Sequence, residues 1–224
     1  GALKPAAPDF RIYWDNAYTV HHLDPAHPVK IASIKTACEE GGNPNMWYEF
    51  ASTSKISFAG AGIAAIAASD ANIEDINRQM AFQTIGYDKI NQLRHVVFFK
   101  DLDGINAHMA KHAAILAPKF AKVRETLDAE LTPTGVGKWT DPKGGYFITF
   151  TGMPGTAKRI VELAAGAGVK MTGAGAPFPY KKDPEDNVIR IAPSYPSLDE
   201  LSQACALFCL CVKIASIEKI IATH

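Results

Sequence analysis

The chain has 224 residues, enough for one large domain or two small ones with a core that needs no staples. Its 23 Lys and Arg balance its 23 Asp and Glu, so no net field draws it toward nucleic acid, an anionic membrane or a polyanionic partner. Cys38, Cys205, Cys209 and Cys211 form no C-x-x-C pair and read as buried thiols, not a metal site. With no signal pattern and no apolar run of roughly 18 to 20 residues, the expectation is a soluble cytoplasmic protein.

An Ala/Pro stretch, Gly1 to Pro8, opens the chain without an initiator Met. Asp9 to Trp14 then alternates Phe10, Ile12 and Trp14 against Arg11 and Tyr13, the period-2 pattern of a strand, and ends in the turn pair Asp15-Asn16. A second aromatic run, Met46 to Phe50, follows the turn signal Gly41-Gly42-Asn43-Pro44 and leads into Ser52-Thr53-Ser54-Lys55. Val29 to Glu40 between them suits a crossover helix, which makes strand, helix and strand a right-handed parallel unit of an α/β sheet.

From Ile105 the apolar positions Met109, Ala113, Leu116, Phe120, Val123, Leu127 and Leu131 recur in steps of three or four, predicting a long amphipathic helix. Pro118 inside it removes a donor and crowds the Ala114 carbonyl, so a kink is expected there. A smaller α+β group follows: a strand at Gly145 to Thr151, a helix near Thr156 to Ala165, and a strand at Val188 to Ala192. Ser197 and Glu200 have capping-box spacing before a last helix that presents Leu201, Cys205, Phe208, Val212 and Ala215 on one face. The expected division is 1–117 and 118–224, with the boundary near Pro118.

Three residues stand out chemically. Lys55 follows a strand and a run of hydroxyl residues, and precedes the apolar, Gly-rich Ser57 to Ile63. An ammonium held near apolar walls becomes a usable amine nucleophile toward an aldehyde. Asp15 closes a strand, where α/β sheets place ligand-binding groups; a plain turn cap fits it equally well. Arg190 is a charge inside the apolar strand Val188 to Ala192, and its partner is either a substrate carboxylate held through two N–H donors or a structural acid.

Asp15-Asn16-Ala17-Tyr18, Ser52-Thr53-Ser54-Lys55, Trp139 to Pro142 with Gly144-Gly145-Tyr146-Phe147, and Asn187 to Arg190 stand in an order and spacing that resembles the class I/II aminotransferases of pyridoxal 5'-phosphate (PLP) fold type I. Lys55 to Gly62 and Asp88 to His95 look closest to the aspartate aminotransferase-like or MocR-type branch. The resemblance implies the C-terminal part of a large PLP-binding domain, a mostly parallel sheet with helices, followed by a smaller α+β domain. It implies that Lys55 forms the Schiff base and shuttles a proton, Asp15 pairs with the pyridine nitrogen, and Tyr18 donates to the phenolic oxygen. Ser52 and Ser54 would bind the phosphate, and Arg190 the substrate carboxylate. The activity implied is transfer of an amino group between an amino acid, aspartate or glutamate by branch, and a 2-oxo acid, in a homodimer. Lys89 and Arg94 are candidates for a side-chain carboxylate in a neighbouring subunit.

The family's pattern has an arginine for the phosphate eight positions after the lysine, where this chain has Ile63. Backbone N–H groups of Gly60, Ala61 and Gly62, with a following helix N-terminus, are the expected replacement. His21 and His22 lie close enough along the chain to line the same mouth, but local backbone bonding accounts for them. His95, with Asn91, Gln92 and Arg94, is assigned to a solvated loop. The alternatives are a ligand-sensing domain of a transcriptional regulator, or another PLP reaction such as β-elimination or decarboxylation. Missing sheet strands lead to the further expectation that the 224 residues are a piece of a chain about twice as long.

Overall fold

Two parallel strands, β1 (Ile12–Asp15) and β2 (Trp47–Ser52), pair in register from Ile12 opposite Trp47 to Asp15 opposite Phe50. The computed structural model describes residues 1–223. The alternation in β1 sends Ile12 and Trp14 against a small core of Ile34, Cys38, Met46 and Trp47, while Tyr13 and Asp15 face the other way and are exposed. The crossover helix α1 (Ile34–Glu40) is shorter than expected, because the Ser33 side chain accepts the Thr36 N–H and caps the helix there. The parallel unit itself is as the periodicity predicted.

A third strand, β3 (Ala64–Ala68), runs antiparallel to β2, so this sheet is mixed, in the order β1-β2-β3. Its sequence is alanine with one isoleucine, which carries neither β-branching nor alternation, and nothing local announces a strand. Two helices follow: α2 (Asp70–Met80), capped by Ser69, and α3 (Lys89–Phe99), capped by Asp88. The assignment of His95 to a solvated loop is therefore wrong. Asn91, His95 and Phe99 recur at helical spacing on the inner side of α3, and His95 and Phe99 are buried. The period is masked because Ile90, Leu93, Val96, Val97 and Phe98 are apolar and exposed on the other faces.

Helix α4 (Leu102–Leu131) runs through Pro118. The chain separates into two compact units within it: residues 1–22 with 28–110, and residues 23–27 with the chain from Lys111 onward. In the second unit, β4 (Gly137–Trp139), β5 (Ile148–Gly152) and β6 (Val188–Ile191) form an antiparallel sheet in chain order, with α5 (Ala157–Gly166) between β5 and β6. The last helix, α6 (Leu198–Thr223), starts on the expected capping box: Glu200 accepts the Ser197 N–H at 2.9 Å and Ser197 Oγ accepts the Glu200 N–H at 3.3 Å.

The core of this unit takes Leu116, Phe120, Val123, Leu127 and Leu131 from α4 and Leu201, Cys205, Phe208, Val212 and Ala215 from α6, the stripes read from periodicity. Burial pushes the Cys205 thiol up to about 11 and the Cys209 thiol up to about 12, so both behave as small apolar groups. Among the described residues no helix is long and apolar enough to cross a membrane.

Phe150 is the centre of that core. Its ring stacks on Trp139, meets Phe208 edge-on at 5.2 Å, and lies so close to Gly137 that a Cβ there would fall 2.6 Å from it. Phe150→Ala leaves a cavity between β4 and α6 and should cost about 3–5 kcal/mol, measured by denaturant unfolding of the folded protein.

Candidate active site

The register of β1 and β2 decides which side chains share a surface. Asp15 lies opposite Phe50, and two residues further along β2 comes Ser52. With a side-chain period of two, Asp15 and Ser52 stand on the same face, at the carboxyl ends of neighbouring parallel strands. Immediately after β1 the chain turns, with the His21 N–H bonded to the Tyr18 carbonyl at 3.0 Å. Immediately after β2 it turns again, with the Ile56 and Ser57 N–H groups both bonded to the Thr53 carbonyl, at 2.9 and 2.8 Å.

These two turns meet. The Lys55 ammonium lies 5.2 Å from the centroid of the Tyr18 ring, within range of cation–π attraction. The Ser52 and Ser54 hydroxyls are hydrogen-bonded to each other at 2.6 Å on an exposed surface, so two adjacent hydroxyl groups are available to an anion. The first unit thus gathers Asp15, Tyr18, Ser52, Ser54 and Lys55 on two consecutive strand ends and their turns. Lys55 itself is exposed. The apolar walls expected from Ser57 to Ile63 do not enclose it, since Phe58 is 70% exposed; its apolar neighbour is the Tyr18 ring.

The Gly-rich stretch has a different use from the one expected. No helix follows Gly62, because β3 begins at Ala64. The Ala61 N–H is spent on the Phe58 carbonyl at 3.1 Å and the Ile63 N–H on Thr53 Oγ1 at 2.9 Å. A Cβ on Gly62 would come within 2.9 Å of the Ser54 nitrogen and 3.0 Å of its Cα. Gly62 is therefore glycine because two backbones touch there, and the residues from Thr53 to Ile63 form a closed loop, shut by the Thr53 N–H on the Ile63 carbonyl at 2.9 Å.

Histidine is the side chain that the sequence undervalued here. His21 is buried, and its Nε2 donates to the Lys55 carbonyl at 3.1 Å. Burial lowers its pKa, the bond to Lys55 opposes that, and the Lys55 charge adds to the lowering. His95 reaches Thr53 Oγ1 and Ser57 Oγ, each at 2.9 Å. His108, on α4, donates to the Ile56 carbonyl at 2.8 Å. No local motif marks His108; only its position on the same helical stripe as Ile105 and Met109 pointed inward.

Arg190 belongs to the second unit. It sits on β6 opposite Thr149, and its guanidinium carbon lies 4.2 Å from the centroid of the Phe147 ring. The strand that carries it is anchored by Asp183, whose carboxylate accepts the N–H groups of Glu185, Asn187 and Val188 at 3.1, 2.9 and 2.9 Å. Partial desolvation would raise the Asp183 pKa, but these amide bonds outweigh it and hold the carboxyl below its ordinary range. Arg190 Nε is buried without a hydrogen-bond partner, and among the described residues no carboxylate lies within ion-pair distance of the side chain. A cavity of about 440 Å³ opens beside it, lined also by Lys170, Thr172 and Tyr195.

A mixed α/β arrangement with a lysine and a carboxylate at the ends of parallel strands is the type of site used by PLP enzymes. The chain belongs to the aspartate aminotransferase family: the family model described as aspartate amino-transferase matches residues 1–224. An aspartate aminotransferase of Corynebacterium glutamicum is 46% identical over 217 residues, 97% of this chain and 50% of its own length. The crystal structure of an aspartate transaminase from that species superposes with a TM-score of 0.93 at 46% identity, over 97% of this chain and 51% of that one. An α-aminoadipate aminotransferase from Thermus thermophilus, complexed with N-(5'-phosphopyridoxyl)-L-leucine, shares the fold with a TM-score of 0.73 at 17% identity, over 92% of this chain and 51% of its own. The chain spans about half the length of these relatives.

The Gly62 contact gives a direct test of the closed loop. Gly62→Ala forces apart two main-chain segments that have no flexible end to yield, and should destabilise the protein by about 1–3 kcal/mol in chemical denaturation. Gly60→Ala, where a Cβ would meet nothing within 4 Å but φ is +78°, tests backbone strain alone.

Proposed function

We propose that the protein is a PLP-dependent aminotransferase that moves an amino group between an amino acid and a 2-oxo acid, acting as a homodimer in the cytoplasm, with Lys55 as the residue that bonds the cofactor. The observation that carries this reading is the meeting of the Lys55 and Tyr18 turns at the carboxyl ends of β1 and β2, beside Asp15, Ser52 and Ser54. These residue types fit the cofactor. The paired hydroxyls suit a phosphate, the exposed carboxylate suits a protonated ring nitrogen, and the amine is accessible to an aldehyde.

Bound PLP would supply an electron sink for the bonding electrons released at the substrate α-carbon. Lys55 would hold the cofactor through its amine, and the same amine would carry the substrate's α-proton. Asp15 would hold the pyridine nitrogen in its protonated form by its negative charge. Tyr18 would donate its hydroxyl to the phenolic oxygen, and Ser52 with Ser54 would hold the phosphate. Arg190 takes the substrate α-carboxylate. Its buried, unpartnered Nε supports that role over a structural ion pair, because a guanidinium beside no acid still needs an anion.

The name of the Corynebacterium glutamicum relative supports aspartate as the amino donor. Lys89 and Arg94 remain the candidate cations for its side-chain carboxylate.

In the complete protein, Lys55→Ala should lose both the visible absorbance of the covalently bound cofactor and the activity; a retained band would place the nucleophile elsewhere. Arg190→Ala should lower kcat/KM for aspartate by about 2–5 kcal/mol, the scale for losing one partner of a buried charged pair. An equal loss with an amine that has no carboxylate would contradict the role.

A further inference from the structure

The turn that carries Lys55 is held by more than a surface turn requires. Three imidazoles arrive from three separate segments: His21 from the loop after β1, His95 from α3 and His108 from α4. His21 donates to the carbonyl of Lys55 itself, and His108 to the carbonyl of the next residue, Ile56. A carbonyl only accepts, so both rings carry their proton on Nε2. The His95 Nδ1 lies 2.8 Å from the Asn91 carbonyl and must donate to it. In the neutral ring its Nε2 then accepts, from the hydroxyl of Thr53, two residues before Lys55, or of Ser57, two residues after.

The same face of α3 closes the loop from its other side, since the Asn91 side chain donates to the carbonyls of Ala61 and Gly62 at 3.0 and 3.2 Å. Thr53 Oγ1 meanwhile accepts the Ile63 N–H. The rings are also braced against one another: Phe99 lies 6.0 Å from His95 and meets His108 edge-on at 5.4 Å. Water would satisfy the carbonyls of an exposed turn with no imidazole present. Convergence of three rings on the five residues from Thr53 to Ser57 costs three buried or half-buried polar side chains, and what they gain is a single main-chain path through Lys55.

We propose that His21, His95 and His108 are positioning residues that lock the backbone on both sides of Lys55, so that the direction from which its amine approaches a reacting carbon is set by the protein. This rests on the assignment of Lys55 as the cofactor-bonding lysine. Orientation is worth much to such a step, because a displacement of about 1 Å costs about 10²-fold in rate.

The test compares leucine and glutamine at each histidine in the complete protein with PLP bound. Glutamine keeps an amide near the Nε2 position, whose N–H can donate in place of His21 and His108 and whose oxygen can accept in place of His95; leucine keeps bulk alone. Each leucine variant should lower kcat about 10²-fold with KM little changed, and each glutamine variant should recover most of the loss. Without added PLP, hydrogen exchange at the Ile56 and Ser57 amides should quicken in the His95 and His108 leucine variants and stay slow in the glutamine ones. If a leucine variant does not fold, asparagine, polar but too short to reach the turn, replaces it. Turnover near wild type in the leucine variants, equal impairment with leucine and glutamine, or unchanged exchange would each overturn the proposal. Lys55→Ala separates the two ideas: loss of covalent cofactor there, with unaffected histidine variants, removes only the positioning role, whereas a retained bond removes the lysine assignment on which it rests.

Discussion

The closed loop that carries Lys55 depends on the contact between the backbones of Gly62 and Ser54. Two main-chain segments approach until a single methyl group would not fit between them, and this lets the Thr53 hydroxyl and N–H bond both polar groups of Ile63. A loop tied at its neck in this way has few conformations left to lose when side chains from elsewhere bind it. The three histidines then hold the path that remains between Thr53 and Ser57. Without the neck, each of their hydrogen bonds would also have to offset the ordering of a flexible chain.

The two units solve the problem of holding a charged side chain in different ways. Lys55 sits on a turn, exposed, and its surroundings are held by imidazoles bonded to the Lys55 and Ile56 carbonyls and to the Thr53 and Ser57 hydroxyls. Arg190 sits on a strand, where the sheet register with Thr149 and the amide nest around Asp183 fix the backbone, and the Phe147 ring covers one face of the guanidinium. A flat, delocalised cation tolerates an aromatic ring at 4.2 Å and still presents N–H donors at its edge. An ammonium on a flexible stem has no such plane, so the protein controls it through the backbone instead.

Burial in the second unit follows the periodic stripes closely. Residues at every third or fourth position of α4 from Ala113 to Leu131 are buried, as are Leu201, Cys205, Phe208, Val212 and Ala215 of α6. The cysteines among them are held as neutral thiols by desolvation, so a cluster that by composition could suggest metal or redox chemistry serves packing.

The sequence by itself determined the parallel β1–α1–β2 unit, the long inward stripe of α4 and the capped final helix, because alternation, helical period and capping are local properties that a short window carries. It also marked Lys55, Asp15, Tyr18, Ser52, Ser54 and Arg190 as residues worth following, since their order along the chain is a motif. Only the tertiary structure decided the rest. An alanine strand such as β3 exists because β2 offers it a ladder, not because of its own preference. The helix α3 was hidden by apolar residues on every face, and the roles of His21, His95 and His108 depend on carbonyls and hydroxyls that lie 34 to 52 residues away in the chain. A histidine can pair with any acceptor that folding brings to it, so its partner is written in the packing and not in its neighbours.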